Sequence, residues 1–374
     1  MPAYDSIVIG LGATGGAALA ELARRGRRTL GIEQFHIANQ RGSSHGETRI
    51  IRLGYYEHPS YVPLVRRAYE LWRDLERNSG RRLLHVTGIL EMGPPEGELV
   101  AGTLAASRAH GIAHEILDAA ALMRRFPAFR VPRDFVGVHQ ADGGFLDAED
   151  AVLAQVGAAQ AHGAQVRTAL RVRAIEPLAG GVRVATDNGA FEAASVVVSA
   201  GAWLPKLLPG LQIPLRATRQ AVGWFEPAEP APFARGACPV FMIESKHGIH
   251  YGFPLHGRGV KIAKHFHREE TLDPDLVAAP FAAADEAIIR TAIADHIPGA
   301  NGPLARSATC LYTMAPDGDF ILDRLPGAPQ IVMASACSGH GFKFAPVLGE
   351  ILADLATDRT PAHDISRFRL ARFG

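Results

Sequence analysis

The first 33 residues predict one supersecondary unit and constrain the fold more than any other part of the chain. Residues 4–9 form a short apolar run that leads directly into the segment Gly10-Leu11-Gly12-Ala13-Thr14-Gly15. Apolar residues then recur at helical spacing until Gly26, and residues 28–32 are typical of a second strand, which ends at Glu33. The sequence therefore predicts a βαβ unit of the dinucleotide-binding type with an acid at the end of its second strand.

The glycines and the acid indicate how such a unit would bind its ligand. Glycine lets the chain turn tightly and lets a pyrophosphate approach the helix N-terminus, where free N–H groups and the helix dipole favour an anion. Glu33 lies about 20 residues beyond the glycines, where a carboxylate accepts hydrogen bonds from an adenosine ribose and disfavours the 2′-phosphate of NADP. The motif alone does not distinguish FAD from NAD, and a glycine-rich turn without a ligand is the alternative.

Composition argues against several classes of protein. The 374 residues include 39 Lys and Arg against 38 Asp and Glu, a net charge of +1, so no nucleic acid partner is expected. Only three cysteines are present, Cys238, Cys310 and Cys337, too few for a disulfide framework and in keeping with a reducing, cytoplasmic location. No apolar run is long enough to span a bilayer and no signal peptide pattern is visible, so neither membrane insertion nor secretion is expected.

The rest of the pattern predicts a return to the nucleotide-binding fold after an intervening sheet. Helical spacing is found at residues 61–78 and 148–163, and residues 195–199 form a continuous apolar run typical of a buried parallel strand. Residues 215–264 contain β-rich runs separated by Pro, Gly and His, as in an antiparallel sheet. A last apolar strand at 331–334 and a helix after it bring the chain back to the first sheet.

We therefore expect an α/β (α+β) chain with two interleaved domains. A Rossmann-like, dinucleotide-binding domain is predicted to comprise residues 1–83, 143–214 and 317–374. A substrate domain with a mainly antiparallel sheet is predicted to comprise residues 84–142 and 215–316.

Five motifs occur in an order and spacing that resemble one known family. Besides the glycine-rich turn, they are Gly42-Ser43-Ser44-His45-Gly46-Glu47-Thr48-Arg49-Ile50-Ile51-Arg52, Tyr251-Gly252-Phe253-Pro254, Cys310-Leu311-Tyr312 and Ser338-Gly339-His340-Gly341-Phe342-Lys343-Phe344. The chain resembles monomeric sarcosine oxidase and N-methyl-L-tryptophan oxidase, FAD-dependent amine oxidases of the D-amino-acid oxidase-like superfamily, from residue 4 to the C-terminus. The resemblance implies covalently bound FAD, oxidation of an N-methyl amino acid by O2, and a monomer.

The resemblance also assigns residues to the cofactor. Cys310 is similar to the cysteine whose sulfur joins the 8α-methyl carbon of the flavin. Such a bond needs a thiolate and hence nearby positive charge, for which Arg306 is one candidate, whereas a buried structural cysteine is the alternative. The residues expected to bind FAD are Cys310, Gly10, Gly12, Ala13, Thr14, Gly15, Glu33, Gln34, Ser43, Thr48, Arg49, Val172, Ala200, Gly201, Trp203, Gly339, Gly341, Phe342 and Lys343.

Four basic side chains are assigned to chemistry in the same way. The resemblance places Arg49 near the flavin N1–C2 carbonyl, where a cation stabilises the anionic reduced ring, and gives the substrate carboxylate to Arg52 and Lys343. It gives Lys261 the activation of O2, for which a fixed positive charge is suited because it stabilises superoxide. Without the resemblance, such side chains would more commonly be solvated or ion-paired, for example with Glu47.

The expected site is completed by histidines, tyrosines and a methionine. The full catalytic set is Lys261, Arg49, His265, Tyr312 and His45, and the full substrate-binding set is Arg52, Lys343, Tyr251, Met242 and His340. The segment around Arg49 and Arg52 has no helix or strand signal. No metal site is expected, because the cysteines are dispersed and His265 and His267, expected on one strand face, have no third partner in the sequence.

Three departures from the family pattern border the expected cofactor and the substrate entrance. Ser44 stands where both relatives usually have histidine, and Glu47 replaces an aspartate. Residues 53–56, Leu-Gly-Tyr-Tyr, replace a His-Ala-Tyr-Gly run. These changes leave the core chemistry in place but make the identity of the preferred amine open.

The sequence therefore predicts an oxidase that removes a hydride equivalent from the N-methyl carbon of a small amino acid such as sarcosine, giving the primary amino acid, formaldehyde and H2O2. N-methyl-L-tryptophan or another secondary amino acid is the alternative substrate, since residues 261–265 and 347–373 look closer to the tryptophan enzyme. Two alternatives belong to other classes. A nicotinamide-dependent dehydrogenase would give Cys310 no role, and a non-catalytic flavoprotein would not need Lys261, Arg52 or Lys343.

Overall fold

The computed structural model describes residues 3–211, 213–257, 259–276 and 279–374. Its helices differ widely in length, and the longest follows a 3-10 turn at Pro59–Tyr61. They are α1 (Ala13–Arg24), α2 (Val62–Ser79), α3 (Glu98–His110), α4 (Ala119–Arg125), α5 (Ala148–Ala161), α6 (Leu204–Leu207), α7 (Ala283–His296) and α8 (Ala345–Ala356).

The strands lie before or between these helices, singly or in runs of up to four. They are β1 (Tyr4–Ile9), β2 (Thr29–Ile32), β3 (Thr48–Ile51), β4 (Leu84–Val86), β5 (Ile89–Gly93), β6 (Glu115–Asp118), β7 (Val136–Gln140), β8 (Gly144–Asp147), β9 (Gln165–Arg167), β10 (Val172–Leu178), β11 (Gly181–Thr186), β12 (Gly189–Val198), β13 (Arg216–Phe225), β14 (Val240–Ser245), β15 (Gly248–Gly252), β16 (Val260–Lys264), β17 (Leu304–Met314), β18 (Ile321–Leu325) and β19 (Ala328–Ser335).

In the described part of the chain, the predicted βαβ unit lies at the centre of an eight-stranded sheet. Strands β1, β2, β9, β12 and β19 are parallel, whereas β10 and β11 extend the sheet antiparallel from β12 and β18 pairs antiparallel with β19. Val8 packs into the core shared with α1, α5 and α8, whereas Ile7 and Ile9 pack into the core on the opposite face. Both faces of β1 are covered, which is why its last three residues, 7–9, are all apolar.

A second eight-stranded sheet has the order β17-β13-β16-β15-β14-β5-β7-β6 over the described residues. All its pairs are antiparallel except β14–β5, which confirms the mainly antiparallel prediction. Phe241 and Ile262 pack with α4 and α7 in a core on one face. Met242, Tyr251 and Ala263 point to the other face, towards the first sheet.

The order of the strands confirms the predicted α/β fold with interleaved parts. The chain runs from the first large sheet (β1–β2) to the second (β5–β7), returns to the first (β9–β12), crosses again (β13–β17) and ends on the first (β18–β19). Strands β3, β8 and β4 form a small third sheet between these passages. The domain boundaries given above stay a prediction.

Two local predictions are wrong. Arg49 lies in β3 rather than in a segment without regular structure, because β3 pairs with the distant strand β8. His265 and His267 do not share a strand face, because β16 ends at Lys264 and the chain then turns. His267 turns towards α7 and bonds to Asp285.

The side chain of Asp285 ties α7 to the second sheet. Its carboxylate accepts hydrogen bonds from Arg219 of β13 at 2.6 and 3.0 Å and from His267 at 2.9 Å, if that ring nitrogen carries the proton. It also accepts from the backbone N–H of Ala282, just before α7. Arg219 and Asp285 are 4% and 1% exposed, so the guanidinium has little water to replace a lost carboxylate.

Replacing Asp285 by alanine is therefore expected to lower the free energy of unfolding by about 3–5 kcal/mol, the usual cost of removing one partner of a buried pair, since the second carboxylate beside Arg219, that of Glu270, is partly exposed and 3.7 Å away. Urea denaturation followed by circular dichroism measures this loss. Glu286→Ala is the matched control, because Glu286 forms only a partly exposed pair with Arg290 in the same helix and should cost less than about 1 kcal/mol. Equal losses of unfolding free energy in the two variants would contradict the conclusion that Asp285 ties α7 to the second sheet.

Candidate active site

A cavity of ≈ 340 Å³ runs between the two large sheets, a size typical of ligand sites. One end is lined by the glycine-rich turn and Glu33, the middle by the 42–49 segment, Lys261 and Cys310, and the far end by Arg52 and Met242. All but two of the predicted site residues lie along this cavity. The exceptions are Gly15, which packs behind the turn, and Thr48, which contacts the lining residue Lys261.

The first end of the cavity has the shape that a dinucleotide needs. Gly10 has φ +84°, and a Cβ there would lie 2.5 Å from the carbonyl oxygen of Ser199. A Cβ on Gly15 would lie 1.8 Å from the carbonyl oxygen of Gly10, so only glycine lets α1 begin this close to β1. Both positions therefore keep the N-terminus of α1 open towards the cavity, where its N–H groups would meet a pyrophosphate.

Glu33 closes this end of the cavity at the tip of β2. Its two carboxylate oxygens accept hydrogen bonds from the N–H groups of Leu11 at 2.9 Å and Phe35 at 3.1 Å. The carboxylate is thereby oriented and still has lone pairs for ribose hydroxyls. The other predicted residues that line this end are Gly12, Ala13, Thr14, Gln34, Val172, Ala200, Gly201 and Trp203. The donor set therefore fits the adenosine and pyrophosphate parts of FAD.

The segment between β2 and β3 is held in place by Glu149 at the start of α5. The Glu149 carboxylate accepts from the N–H groups of Gly46 at 2.7 Å and Glu47 at 3.0 Å. Gly46 and Glu47 have φ of +94° and +68°, and a left-handed glutamate is a strained residue that its surroundings must fix. Ser44 accepts a hydrogen bond from the N–H of Ala13, so the segment reaches the first turn of α1.

Ser43 and His45 lie in the same segment. The Ser43 hydroxyl donates to the carbonyl oxygen of Leu311, which joins the segment to β17. The ring of His45 is buried, and burial lowers the pKa of His45 to about 4, so the imidazole is neutral at neutral pH. His45 lines the cavity as predicted, and its carbonyl oxygen accepts from Arg49.

Arg49 is anchored by backbone carbonyls rather than by a carboxylate. Its guanidinium donates to the carbonyl oxygens of Thr48 at 2.8 Å, Ser43 at 2.7 Å and His45. It also lies 5.8 Å from the ring centroid of Phe342. No carboxylate among the described residues pairs with it, so its positive charge stays available beside the cavity. The alternative of an ion pair with Glu47 is wrong, since Glu47 pairs with Arg306 instead.

Lys261 is buried beneath the same segment. Its Nζ donates to the carbonyl oxygens of Gly46 at 2.6 Å and Thr48 at 2.9 Å and to the Thr48 hydroxyl at 3.2 Å. Burial lowers the pKa of Lys261 well below its usual value, and the Arg49 charge acts in the same direction. Three oxygen acceptors, however, match the three N–H groups of an ammonium. The alternative of a solvated lysine is therefore wrong.

Cys310 lies half-buried in the cavity wall, on β17 opposite Gln220. Burial raises the pKa of its thiol, while the Arg49 and Lys261 charges lower it. Arg306, the cation suggested by the sequence, is engaged by Glu47 and stacks over Trp224 at 4.6 Å. The positive charge near the thiol thus comes from two cations distant in the sequence.

At the far end, Arg52 is fully surrounded by side chains. Its NH2 donates to both oxygens of Glu57 at 2.7 and 2.8 Å, its NH1 to the carbonyl oxygen of Gly54 at 2.8 Å, and its Nε lies 3.5 Å from an oxygen of Glu91. Burial raises the pKa of Glu57, but the Arg52 charge outweighs it and lowers this pKa to about 2. The predicted carboxylate anchor therefore already carries one firmly ionised carboxylate.

Lys343, in the turn before α8, is buried and does not reach water as a snorkelling lysine would. Its Nζ donates to the carbonyl oxygen of His340 at 2.7 Å and lies 3.4 Å from the Tyr55 hydroxyl. Burial and the Arg52 charge lower the pKa of Lys343 to about 7. Tyr55 also contacts Arg52, whose Cζ is 4.4 Å from its ring centroid, so one ring touches both cations.

The remaining predicted residues form the wall of this far end. Tyr251 and Met242 are paired neighbours on β15 and β14, and the Tyr312 hydroxyl lies 3.5 Å from Nδ1 of His265. Burial lowers the pKa of His265 to about 3 and that of His340 to about 4, so both imidazoles are neutral at neutral pH. The wall is thus largely apolar, and its net charge comes from the cations and carboxylates near Arg52.

Several cavity residues were not identified from the sequence. Glu57 follows Arg52 by five residues, but no spacing rule indicates that the two pair. Phe35 and Cys337 line the cavity just after the carboxyl ends of β2 and β19, and the ring centroid of Phe253 lies 4.8 Å from Nζ of Lys261. Their positions after predicted strands are the signal that could have found Phe35 and Cys337, because ligands bind at the carboxyl ends of parallel strands.

The described residues show two further absences. Within them, no three or more His, Cys, Asp or Glu side chains are grouped so that they could hold a metal ion. None of the helices described above has the length and apolar character that crossing a membrane would require.

Comparison with known proteins gives matches that extend over nearly the whole chain. The family model described as FAD dependent oxidoreductase (DAO) matches residues 5–355. Monomeric sarcosine oxidase of Bacillus sp. (strain NS-129) is 40% identical over 99% of this chain and 97% of its own. N-methyl-L-tryptophan oxidase of Salmonella typhi is 37% identical over 99% of each chain. Among solved structures, NikD, an unusual amino acid oxidase essential for nikkomycin biosynthesis, superposes with a TM-score of 0.86 at 30% identity over 98% of this chain and 97% of its own.

Proposed function

The chain belongs to the family of FAD-dependent oxidoreductases, and on this premise we propose that it oxidises a small N-methyl amino acid of the sarcosine type with O2. The observation that carries the proposal is the cavity itself, which joins a dinucleotide-binding end to an end where Arg52 and Lys343 can receive a carboxylate. Membership of this family sets aside the nicotinamide-dependent alternative. A covalent bond to Cys310, a monomeric state and a cytoplasmic location belong to the same proposal.

The residues that would hold the cofactor follow from the cavity. The N-terminus of α1 would bind the pyrophosphate, Glu33 the ribose, and the sulfur of Cys310 the ring. FAD, when bound, supplies the chemistry that the protein lacks, since it takes up the hydride equivalent and passes two electrons to O2. The Arg49 guanidinium adds the positive charge that favours a reduced, anionic ring.

The far end of the cavity binds and orients the substrate. Arg52 and Lys343 attract its carboxylate. Because that group is held at two points, the rest of the substrate is oriented towards the flavin, and the reaction no longer depends on a random bimolecular encounter. Met242, Tyr251 and Tyr312 exclude water around the N-methyl group. The neutral His265 places no competing positive charge against the amine.

The choice of substrate is tested by anaerobic mixing of the purified protein with five compounds while the visible flavin band is followed. Sarcosine is expected to bleach the band rapidly, because its carboxylate fits the two cations and its N-methyl carbon carries the transferred hydride. Glycine is the matched control, since it has the carboxylate without the N-methyl group. L-proline tests a cyclic secondary amine, and D-alanine tests a primary amine of D configuration. Formaldehyde release in air measures the same reaction independently.

N-methyl-L-tryptophan is the second candidate substrate, favoured by the relative that is 37% identical. Faster bleaching by this compound than by sarcosine would transfer the proposal to the bulkier amino acid. A yellow protein that none of the N-methyl compounds bleaches would contradict the substrate class and leave the fold assignment intact. The first place to look would then be Ser44, Glu47 and residues 53–56, where the sequence departs from the family pattern.

A further inference from the structure

Glu91 is a fully buried carboxylate that the proposed reaction does not use. It lies on β5 in parallel register with Met242 of β14, so both side chains point to the cavity face of the sheet. It is 0% exposed, and neither of its oxygens accepts a hydrogen bond of good geometry from a described residue. The hydroxyl of Thr103, on α3, also makes no hydrogen bond of good geometry, but it is close enough to lower the pKa of Glu91 against the effect of burial. A carboxylate buried in this way is costly unless a charge nearby compensates it.

The compensating charge is Arg52, which Glu91 shares with Glu57. The Nε of Arg52 lies 3.5 Å from Glu91, and its NH2 bonds to Glu57. Lys343 is the second cation of the group, because its Nζ lies 5.2 Å from the centroid of the Tyr55 ring that Arg52 also contacts. We refer to Arg52, Glu57, Glu91 and Lys343 as the charge cluster. Fully ionised, it holds two positive and two negative charges, which sum to zero.

A neutral cluster is a poor receptor for a carboxylate. An incoming carboxylate would leave one uncompensated negative charge out of water, which is strongly unfavourable. A proton on Glu91 removes this difficulty, because the cluster then has a net charge of +1 and becomes neutral on binding. Glu57 cannot take up this proton in place of Glu91, since the contact of both its oxygens with Arg52 keeps it ionised.

We propose that Glu91 couples recognition of the substrate carboxylate to proton uptake by the charge cluster. The proposal rests on the proposed function, in that it takes the carboxylate to bind at Arg52 and Lys343. Glu91 acts through these two cations and is therefore a positioning residue. Its consequence is a substrate affinity that falls as the pH rises.

The titration behaviour of the cluster agrees with this coupling. Burial raises the pKa of Glu91 to about 7 against the opposing Arg52 charge, and burial lowers the pKa of Lys343 to about 7. Below this pH Glu91 is protonated and Lys343 charged, which gives a net +1. Above it Glu91 is ionised and Lys343 neutral, which gives a net −1. Carboxylate binding is therefore strong on the acid side and is lost as the pH rises through this range.

The other titratable groups that face Glu91 and the cluster do not change charge near pH 7. Burial lowers the pKa of His265 to about 3 and that of His340 to about 4, so both stay neutral. Burial raises the pKa of Tyr55 and of Tyr56 well above the usual value, so both keep their protons. The strands beside Glu91 present Met242 and Val138, which do not titrate.

The test uses the flavin-loaded protein and acetate, a carboxylate that carries no amine and is not oxidised. The Kd of acetate is measured between pH 6 and 9 from the change it causes in the visible flavin spectrum. In the wild type, Kd is expected to rise by about tenfold to a hundredfold per pH unit above 7, corresponding to one or two protons. Glu91→Gln should reduce this to at most about tenfold per unit and bind acetate more tightly at pH 8. Glu98→Gln, an exposed carboxylate on α3 whose pKa is also raised, is the matched control and should behave as the wild type.

A second measurement needs no variant. At pH 8, binding of acetate to the wild type in weakly buffered solution with an indicator dye should take up about one to two protons per carboxylate bound. A Kd that does not change with pH, or the same pH dependence in Glu91→Gln and wild type, would overturn the role of Glu91 alone. Absence of any spectral change with acetate at every pH would instead overturn the carboxylate site, and with it both proposals.

Discussion

Replacing Cys310 by serine is expected to convert flavin that stays with the acid-precipitated protein into flavin that is released to the supernatant. The bond to the ring needs a sulfur nucleophile, and a serine hydroxyl in the same place keeps its proton and does not substitute for a thiolate. Cys310 lies half-buried in the cavity wall, where burial raises the pKa of its thiol and the Arg49 and Lys261 charges oppose that rise. The measurement is the visible absorbance of pellet and supernatant after acid precipitation.

Cys337→Ser is the matched control for this experiment. Cys337 lines the same cavity as a free thiol, with its Sγ 3.8 Å from the Ser43 hydroxyl, but it lies after β19 rather than on β17. Its replacement should leave the pellet yellow. Release of flavin by Cys337→Ser and not by Cys310→Ser would show that the flavin is bound to Cys337 instead. A colourless wild-type pellet would show that the flavin is not covalently bound.

The dinucleotide end of the site could be predicted from sequence because its determinants are local. The residues of the turn follow each other directly, and Gly15 and Glu33 make their contacts within one βαβ unit. Gly10 and Gly15 are needed where a Cβ would meet a carbonyl oxygen, and Glu33 is placed by the end of β2. The fold class followed in the same way, since strand and helix periodicities are properties of neighbouring residues.

The charges at the other end could not be predicted, because they come together only through tertiary packing. Nothing near Arg52 in the sequence indicates Glu91, which reaches it from β5. Arg306 lies four residues from Cys310 and was the cation suggested by the sequence, yet it pairs with Glu47. The family resemblance identified the two cations, Arg52 and Lys343. It did not identify Glu57 and Glu91, the carboxylates that set the net charge of this end.

The Lys261→Met variant is expected to keep its rate of anaerobic flavin reduction within about tenfold and to lose about 10²–10³ in the rate of reoxidation by O2, the usual effect of removing one preorganised charge. The ammonium of Lys261 is buried and held by three oxygen acceptors, so it cannot move away to be solvated. In the proposed role, this fixed charge stabilises the negative charge that develops on O2. Methionine keeps the length and shape of the side chain and removes the charge. Stopped-flow mixing measures the two half-reactions separately.

Lys264→Met provides the control, because Lys264 lies on the same strand but outside the cavity. It should change neither half-reaction. The pH dependence gives a further distinction, since burial lowers the pKa of Lys261 and its charge is lost as the pH rises. Reoxidation of the wild type should therefore slow with rising pH, whereas that of Lys261→Met should not. If Lys261→Met slowed reduction and reoxidation equally, Lys261 would act by holding Gly46 and Thr48 in place, and the cation that serves O2 would have to be Arg49.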